Sequence, residues 1–142
     1  MGLNNNENKK IIGYLPGTFD LFHIGHLNII KRAKQHCDFL MVGVNTDETC
    51  VKMKNKTPVI PLEERCQIVE AIKYVDKVVE QNTRDRYDIW LLHKFDRIFV
   101  GSDWKGTEKW NILEEKFHKV GVQVVYFDYT QTTSSTLIRT KL

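Results

Sequence analysis

The sequence predicts an α/β fold built on a doubly wound, mainly parallel sheet of five strands with helices on both faces. Five short apolar runs alternate with segments of helical periodicity along the chain. The most apolar runs are continuous rather than alternating, as in parallel strands that are covered on both sides. The first 45 residues give a strand, a helix and a second strand, which is the order of a βαβ unit. The predicted architecture is therefore Rossmann-like.

Composition indicates one globular domain. Of the 142 residues, 42% are hydrophobic and 27% are charged. We expect a single domain over residues 10–142 after a disordered leader over residues 1–9. The net charge of +3 is spread along the chain, which argues against binding to nucleic acid or to a membrane surface.

The cellular compartment is predicted from what the sequence does not contain. No apolar run approaches the roughly 20 residues needed to cross a bilayer. The first ten residues are polar and rich in asparagine, where a signal peptide would be apolar. The three cysteines (Cys37, Cys50 and Cys66) have neither a disulfide pattern nor zinc-ligand spacing. We expect a cytoplasmic protein with reduced thiols.

The first strand is predicted over residues 10–15, because a β-branched apolar run ends there at Pro16-Gly17. A helix should follow over residues 25–36. Its inner face carries the apolar residues Leu27, Ile30 and Ala33. The second strand is predicted over residues 39–44, and the polar residues that follow it should lie at the sheet edge where such folds hold ligands.

The middle of the chain is predicted to hold a basic loop, a helix and a third strand. Residues 50–61 have no periodicity and carry three alternating lysines, so we expect a mobile loop. A proline followed by two acidic residues is a typical helix start, and it places a helix from Pro61 onward. Its apolar face consists of Ile68, Val69, Ile72 and Val75. The third strand is expected over residues 76–80.

The second half repeats the alternation of helix and strand. Helices are predicted over residues 84–95 and 107–120, and strands over residues 97–101 and 122–127. The core candidates of these helices are Ile89, Leu91, Leu92, Trp90 and Trp110. Ser134 or Ser135 is expected to cap a final helix that reaches Leu142.

The segment Gly17-Thr18-Phe19-Asp20, followed by His23-Ile24-Gly25-His26, lies where the first strand leads into the first helix. Backbone N–H groups at a helix start favour anions, and two imidazoles one turn apart add side-chain donors. This arrangement predicts a phosphate site. Asp20 would either orient a histidine or simply form the turn.

This ten-residue pattern resembles the HxGH signature of the nucleotidylyltransferase superfamily, in particular its cytidylyltransferase branch. The closest resemblance, from Ile11 to about Ile138, is to the glycerol-3-phosphate cytidylyltransferases. It implies that the protein condenses CTP with a small phosphorylated alcohol to give a CDP-alcohol and pyrophosphate. It also implies that His23 and His26 stabilise the transition state, and that Gly17, Thr18, Phe19 and Gly25 hold phosphates.

The resemblance assigns the remaining site residues by blocks. In the basic loop it implies a phosphate-contacting lysine among Lys52, Lys54 and Lys56, with Lys54 preferred for catalysis and Lys56 for the second substrate. Arg65 and Asp76 match residues near that substrate. Asp103 and Trp104 follow Ser102 in a block near the nucleotide, where relatives have an aspartate in place of Ser102.

The last block spans residues 129–136 and corresponds to a phosphate-binding signature of the family. Thr130, Ser134, Ser135 and Thr136 keep the hydroxyl pattern of that signature. Tyr129 stands where the family has arginine, and Thr132 where it has glycine. A phosphate-binding charge is therefore missing, unless Arg139 or a lysine supplies it.

The resemblance also implies Mg²⁺ bound through the triphosphate, with no metal held by the protein alone, and a homodimer. Three alternatives stay open. The acceptor could be phosphoethanolamine or phosphocholine instead of sn-glycerol 3-phosphate. The nucleotide could be ATP. From a different class, the chain could be a non-catalytic nucleotide-binding module that has kept the fold.

Overall fold

The computed structural model describes residues 9–128 and 135–142. The predicted leader, apart from residue 9, lies outside the described residues, as do Tyr129, Thr130, Thr132 and Ser134. The strands are β1 (Ile12–Gly17), β2 (Phe39–Asn45), β3 (Lys77–Gln81), β4 (Arg97–Gly101) and β5 (Gln123–Phe127). The helices are α1 (Ile24–Lys34), α2 (Asp47–Lys54), α3 (Leu62–Glu70), α4 (Arg86–His93), α5 (Glu108–Lys119) and α6 (Ser135–Lys141), with a 3-10 turn at Ser102–Trp104.

The five strands form one parallel sheet in the order β3-β2-β1-β4-β5. The chain therefore moves outward from β1 to one edge of the sheet, crosses back, and continues to the other edge. This is the doubly wound topology that the sequence predicts, and that expectation is confirmed. In such a sheet the point where the strand order reverses, between β1 and β4, opens a crevice at the carboxyl ends of the strands.

Successive side chains of each strand point to opposite faces of the sheet, and an apolar core lies on each face. Tyr14 packs with residues of α4 and α5, whereas its neighbour Leu15 packs with residues of α1 and α3. The same alternation separates Phe99, on the α1 side, from Ile98 and Val100, on the α4 side. The helices thus cover both faces, which explains why the strand sequences are apolar throughout.

The first strand begins and ends two residues later than predicted, because Pro16 and Gly17 continue it instead of ending it. Pro16 is opposite Gly43 of β2, whereas the pairing of β1 with β4 is confined to Gly13 and Tyr14. A proline without an N–H group is tolerated there, since the ladder to β4 has already ended. The motif that follows is thereby carried to the edge of the sheet.

The basic loop predicted over residues 50–61 is wrong in its first half, which belongs to helix α2. The side chain of Thr46 accepts a hydrogen bond from the backbone N–H of Thr49 and caps the helix. Acidic residues occupy its first turn and lysines its last, and Asn55 ends it in a left-handed conformation. The signals that start the helix, at residues 46–48, lie before the segment whose lack of periodicity suggested a loop.

Three predicted core residues are exposed instead. Ile68 on α3 is 43% exposed, and Leu91 and Leu92 on α4 are 49% and 73% exposed. Each of these helices is only two turns long and buries few residues, Arg65 and Val69 on α3 and Ile89 on α4. Short helices leave little periodicity from which to choose a face. Within the described ranges, none of the helices combines the length and the apolar character that a membrane span requires.

Candidate active site

A cavity of about 660 Å³ lies at the carboxyl ends of β1, β2 and β4. It brings together most of the residues that the sequence predicts for the site. These are Gly17, Thr18, Phe19, His23, Gly25, His26, Lys54, Lys56, Trp104, Ser135 and Thr136. Residues separated by more than 110 positions in the sequence therefore line one space, as expected for a site at the switch point of the sheet.

His23 and His26 lie at the start of α1, where each imidazole ring accepts a hydrogen bond from a backbone N–H group. The Nδ1 atom of His23 accepts from the N–H of Gly25 at 3.0 Å, and the Nδ1 atom of His26 accepts from the N–H of His23 at 3.3 Å. The two rings stack with their centroids 3.9 Å apart. The pair thus forms a reciprocal helix cap made of imidazoles.

These capping hydrogen bonds determine which ring nitrogen of each neutral histidine carries the proton. A neutral imidazole whose Nδ1 accepts a hydrogen bond carries its proton on Nε2, so each ring has one remaining donor. Burial lowers the pKa of His26 to about 4, with a further lowering from His23 and an opposing effect of Asp20. Burial also lowers the pKa of His23. At neutral pH the cavity therefore contains two neutral Nε2–H donors.

Asp20 is buried and anchors the turn before the histidines. Its two carboxylate oxygens accept from the backbone N–H groups of Val59 and Ile60 at 2.8 and 2.9 Å, and from the guanidinium of Arg139. Burial alone would raise the pKa of Asp20, but these hydrogen bonds and the arginine outweigh burial and lower it. The carboxylate orients three segments, so it does more than form a turn.

The C-terminal helix α6 docks on the same turn. The hydroxyl of Ser135 donates to the carbonyl of Asp20 at 2.6 Å. Ser135 and Thr136 of α6 line the cavity beside the histidines. Arg139 also lines the cavity, and one nitrogen of its guanidinium is paired with Asp20.

The structure gives Arg65 a role different from the predicted one, which was contact with the second substrate. Its side chain is completely buried and donates to the carbonyls of Ile60, Thr18 and Asn45, and to the carboxylate of Asp47. A guanidinium committed to these acceptors has no surface left for the phosphate of a second substrate. Arg65 instead ties the loop before α3 to the ends of β1 and β2.

Asp76 also lies away from the cavity. It precedes β3, so it is at the amino-terminal edge of the parallel sheet, opposite to the histidines. Its carboxylate accepts from the N–H of Leu40 at 2.7 Å and from Lys34 at 2.6 Å. The prediction that it contacts the second substrate is therefore wrong, and the capping role that competed with it is what the structure has.

The structure distinguishes the three candidate lysines by the cavity that each one lines. Lys54 ends α2 and Lys56 follows in the loop, and both line the main cavity. Lys52 instead borders a separate surface depression of about 360 Å³ that also contains Asp47 and Glu48. Among the three lysines, Lys54 and Lys56 are thus the two that line the main cavity.

The far wall of the cavity is formed after β4. Gly101 and Trp104 line it, together with Lys109 and Trp110 of α5. Trp104 is 46% exposed, whereas Trp110 is buried in the core on the α4 side. Asp103 is exposed and is not among the residues that line the cavity, so its place beside the nucleotide stays a prediction.

A chain of buried hydrogen bonds reaches the cavity from the core, and sequence reasoning missed it. The hydroxyl of Tyr14 donates to Gln81 at 2.6 Å, the amide of Gln81 donates to Asn45, and the amide of Asn45 donates to the hydroxyl of Thr18 at 3.1 Å. The available signal was the position of Asn45 directly after the predicted second strand; in the structure it is the last residue of β2. Arg86, at the start of α4, also lines the cavity and was not predicted.

The chain was then compared with known proteins. The family model described as cytidylyltransferase-like matches residues 14–141. The chain is 37% identical to the glycerol-3-phosphate cytidylyltransferase of Bacillus subtilis (strain 168), with 94% of this chain and 97% of that protein covered. It is 35% identical to the protein of the same name from Staphylococcus aureus (strain NCTC 8325 / PS 47), with 94% and 95% covered.

Among solved structures, the fold is similar to that of the lipopolysaccharide core biosynthesis protein from Thermoplasma volcanium GSS1. The TM-score is 0.72 at 27% identity, over 88% of this chain and 100% of that one. The sequence match spans the strand-to-helix turn, the histidine pair and the docked helix α6, so it covers every part of the cavity described above. The chain belongs to the cytidylyltransferase-like family.

Proposed function

We propose that this chain transfers the cytidylyl group of CTP to sn-glycerol 3-phosphate, giving CDP-glycerol and pyrophosphate. The observation that carries the proposal is the stacked pair His23 and His26, whose Nε2–H donors belong to a cavity that also contains Lys54 and Lys56. The acceptor is taken from relatives that are named for it and that match nearly the whole chain.

The geometry supports the reaction as follows. An oxygen of the acceptor phosphate attacks the α-phosphorus of CTP, and the bond from that phosphorus to the bridging oxygen of the β-phosphate breaks as pyrophosphate leaves. Negative charge then accumulates on the phosphate oxygens, and positioned donors stabilise it. His23 and His26 supply neutral donors, and the lysines supply positive charge. The reaction needs no protein nucleophile.

Mg²⁺ belongs to the proposal as a partner of the triphosphate. Within residues 9–128 and 135–142, no group of three or more His, Cys, Asp or Glu residues could hold a metal ion. Asp20, the one carboxylate among the described residues that line the cavity, is paired with Arg139. Mg²⁺ commonly binds through substrate phosphates and retains several waters, and this site suits that mode. The ion would neutralise charge on the triphosphate.

We also propose that residues 10–142 form one domain, that the protein is located in the cytoplasm and that it assembles as a homodimer. The match to relatives over residues 14–141 supports the domain limits. CTP is made in the cytoplasm, which supports the location. Light scattering after size-exclusion chromatography tests the dimer, and a mass equal to the 16.7 kDa chain would contradict it.

The test of the reaction is pyrophosphate release by the purified protein with Mg²⁺. CTP and ATP are each combined with sn-glycerol 3-phosphate, phosphoethanolamine or phosphocholine. We expect release only with CTP and sn-glycerol 3-phosphate, and mass spectrometry should find CDP-glycerol. Release with ATP alone would overturn the nucleotide assignment, and release with another acceptor would overturn the acceptor. Nucleotide binding without release would favour a binding module.

A further inference from the structure

Arg86 lines the cavity and is the first residue of α4, which packs on the face of the sheet opposite to α1 and its histidines. Its Nε and Nη1 atoms are buried and have no hydrogen-bond partner within the part of the chain that the structure describes. Buried polar atoms are nearly always paired, and an unpaired donor of a charged group is costly. An unpaired guanidinium beside a cavity therefore indicates an anion that binds there.

The other two arginines that line the cavity each have a partner within the protein. Arg139 is paired with Asp20, and Arg32 donates to the carbonyl of Asp128 at 3.0 Å while it lies over the ring of Phe127. Arg65, which sequence reasoning assigned to the second substrate, is buried among protein acceptors. Of the arginines considered for phosphate binding, Arg86 is the one with buried donors unused.

The groups that act on Arg86 through their charge, Asp85 and Tyr14, make no hydrogen bond to its Nε or Nη1 atom. The adjacent carboxylate of Asp85 accepts from the backbone N–H groups of Tyr87 and Asp88 and caps α4. Tyr14 is the other titratable group close enough to affect it, and burial raises the pKa of that phenol, so it stays neutral. Neither group supplies a negative partner to the unpaired Nε and Nη1 atoms.

We propose that Arg86 binds the phosphate group of the acceptor alcohol, an inference that rests on the proposed function. The reaction has two anionic reactants, and the triphosphate already has the start of α1, the histidine pair and the lysines. A separate cation at α4, which packs on the opposite face of the sheet from α1, suits the second anion. The planar fork of arginine matches two oxygens of a phosphate, whereas a lysine presents a single point charge.

The test separates the two reactants by binding. Isothermal titration measures the affinity for α,β-methylene-CTP, which cannot react, and then the affinity for sn-glycerol 3-phosphate in its presence. We expect Arg86→Gln to weaken the binding of sn-glycerol 3-phosphate by about 10- to 100-fold, the range for a lost charge-assisted hydrogen bond. Affinity for the CTP analogue should change less than about 3-fold, and Arg86→Lys should restore part of the loss.

Arg84→Gln is the matched control, because it removes the same charge two residues away from an exposed side chain that does not line the cavity. It should alter neither affinity. Thermal melting adds a readout that a structural arginine would not give. Arg86→Gln should melt no lower than the unmodified protein, since it removes an unpaired buried charge.

Each remaining outcome decides the question. Loss of affinity for the CTP analogue with acceptor binding retained would assign Arg86 to the nucleotide and overturn the proposal, as would unchanged binding of both. Failure of the unmodified protein to bind sn-glycerol 3-phosphate, phosphoethanolamine, phosphocholine or inorganic phosphate would also overturn it. If the unmodified protein binds both ligands and yet releases no pyrophosphate from CTP, the proposed reaction fails while Arg86 is still tested by binding.

Discussion

Arg139 of α6 forms an ion pair with Asp20, which lies 119 residues earlier in the chain, at the turn that leads to the histidine pair. The side chain of Asp20 is 3% exposed, whereas that of Arg139 is 36% exposed. The same carboxylate also accepts from the backbone of Val59 and Ile60. One buried acid therefore joins the turn, the loop after α2 and the C-terminal helix.

We expect Asp20→Asn to lower the free energy of unfolding by about 2–4 kcal/mol, because an amide leaves a backbone N–H and the arginine without their acceptor. Urea unfolding measures the change, and Asp88→Asn, an exposed acid on α4, is the control. A difference within about 0.5 kcal/mol of the unmodified protein would show that the pair contributes little.

His26→Ala should reduce kcat by about 100-fold or more, the usual effect of removing a donor that stabilises charge in the transition state. The circular dichroism spectrum should be unchanged. His118→Ala removes an exposed histidine from α5 and should retain full activity. Pyrophosphate release is the measurement for both variants. Full activity of His26→Ala would refute a role for this ring in the reaction.

Stability should depend on pH through His26. Its pKa is about 4 in the folded protein and near 6.5 when unfolded. Above pH 6.5 the ring is neutral in both states and contributes nothing. As the pH falls from 6.5 towards 4, the unfolded chain takes up the proton first, so unfolding becomes more favourable. Between pH 7 and 4.5 the loss should be about 2–3 kcal/mol larger than in His26→Gln. Equal losses in the two proteins would contradict the lowered pKa.

Loss of Lys54 or Lys56, which line the cavity, should reduce kcat/KM more than loss of Lys52, which does not. We expect Lys54→Met and Lys56→Met each to reduce kcat/KM by about 10- to 100-fold, because each removes a charged donor from the phosphates. Lys52→Met removes the same charge from outside the cavity and should lower kcat/KM by less than about 3-fold. Steady-state kinetics with CTP and sn-glycerol 3-phosphate compares them, and a larger effect at Lys52 would reverse the assignment.

The hydrogen-bond chain from Tyr14 to Thr18 has a consequence for stability. Tyr14→Phe removes the hydroxyl that Gln81 accepts from and leaves a buried oxygen unpaired, so we expect a loss of about 1–3 kcal/mol. Thermal or urea unfolding measures it. Tyr74→Phe is a suitable control, because that ring lies at the edge of the core on the α1 side. An unchanged stability of Tyr14→Phe would indicate that water replaces the hydroxyl.

The sequence predicted the fold and the histidine pair because both depend on local patterns. Apolar runs and helical periods define the strands and most helices, and the motif from Gly17 to His26 lies within one strand-to-helix turn. The roles of Asp20 and Arg65 depend on contacts with residues up to 119 positions away, which no local pattern contains. Arg86 was missed because an arginine at a helix start normally faces solvent.

The pairing of Asp20 with α6 also sets an order of events during synthesis. A ribosome makes Asp20 of the histidine turn 119 residues before Arg139 of the helix that anchors it. A nascent chain that ends before residue 135 would leave Asp20 without its cation and the cavity without Ser135 and Thr136. Competence to hold a nucleotide is therefore expected only after the C-terminal helix has emerged and docked.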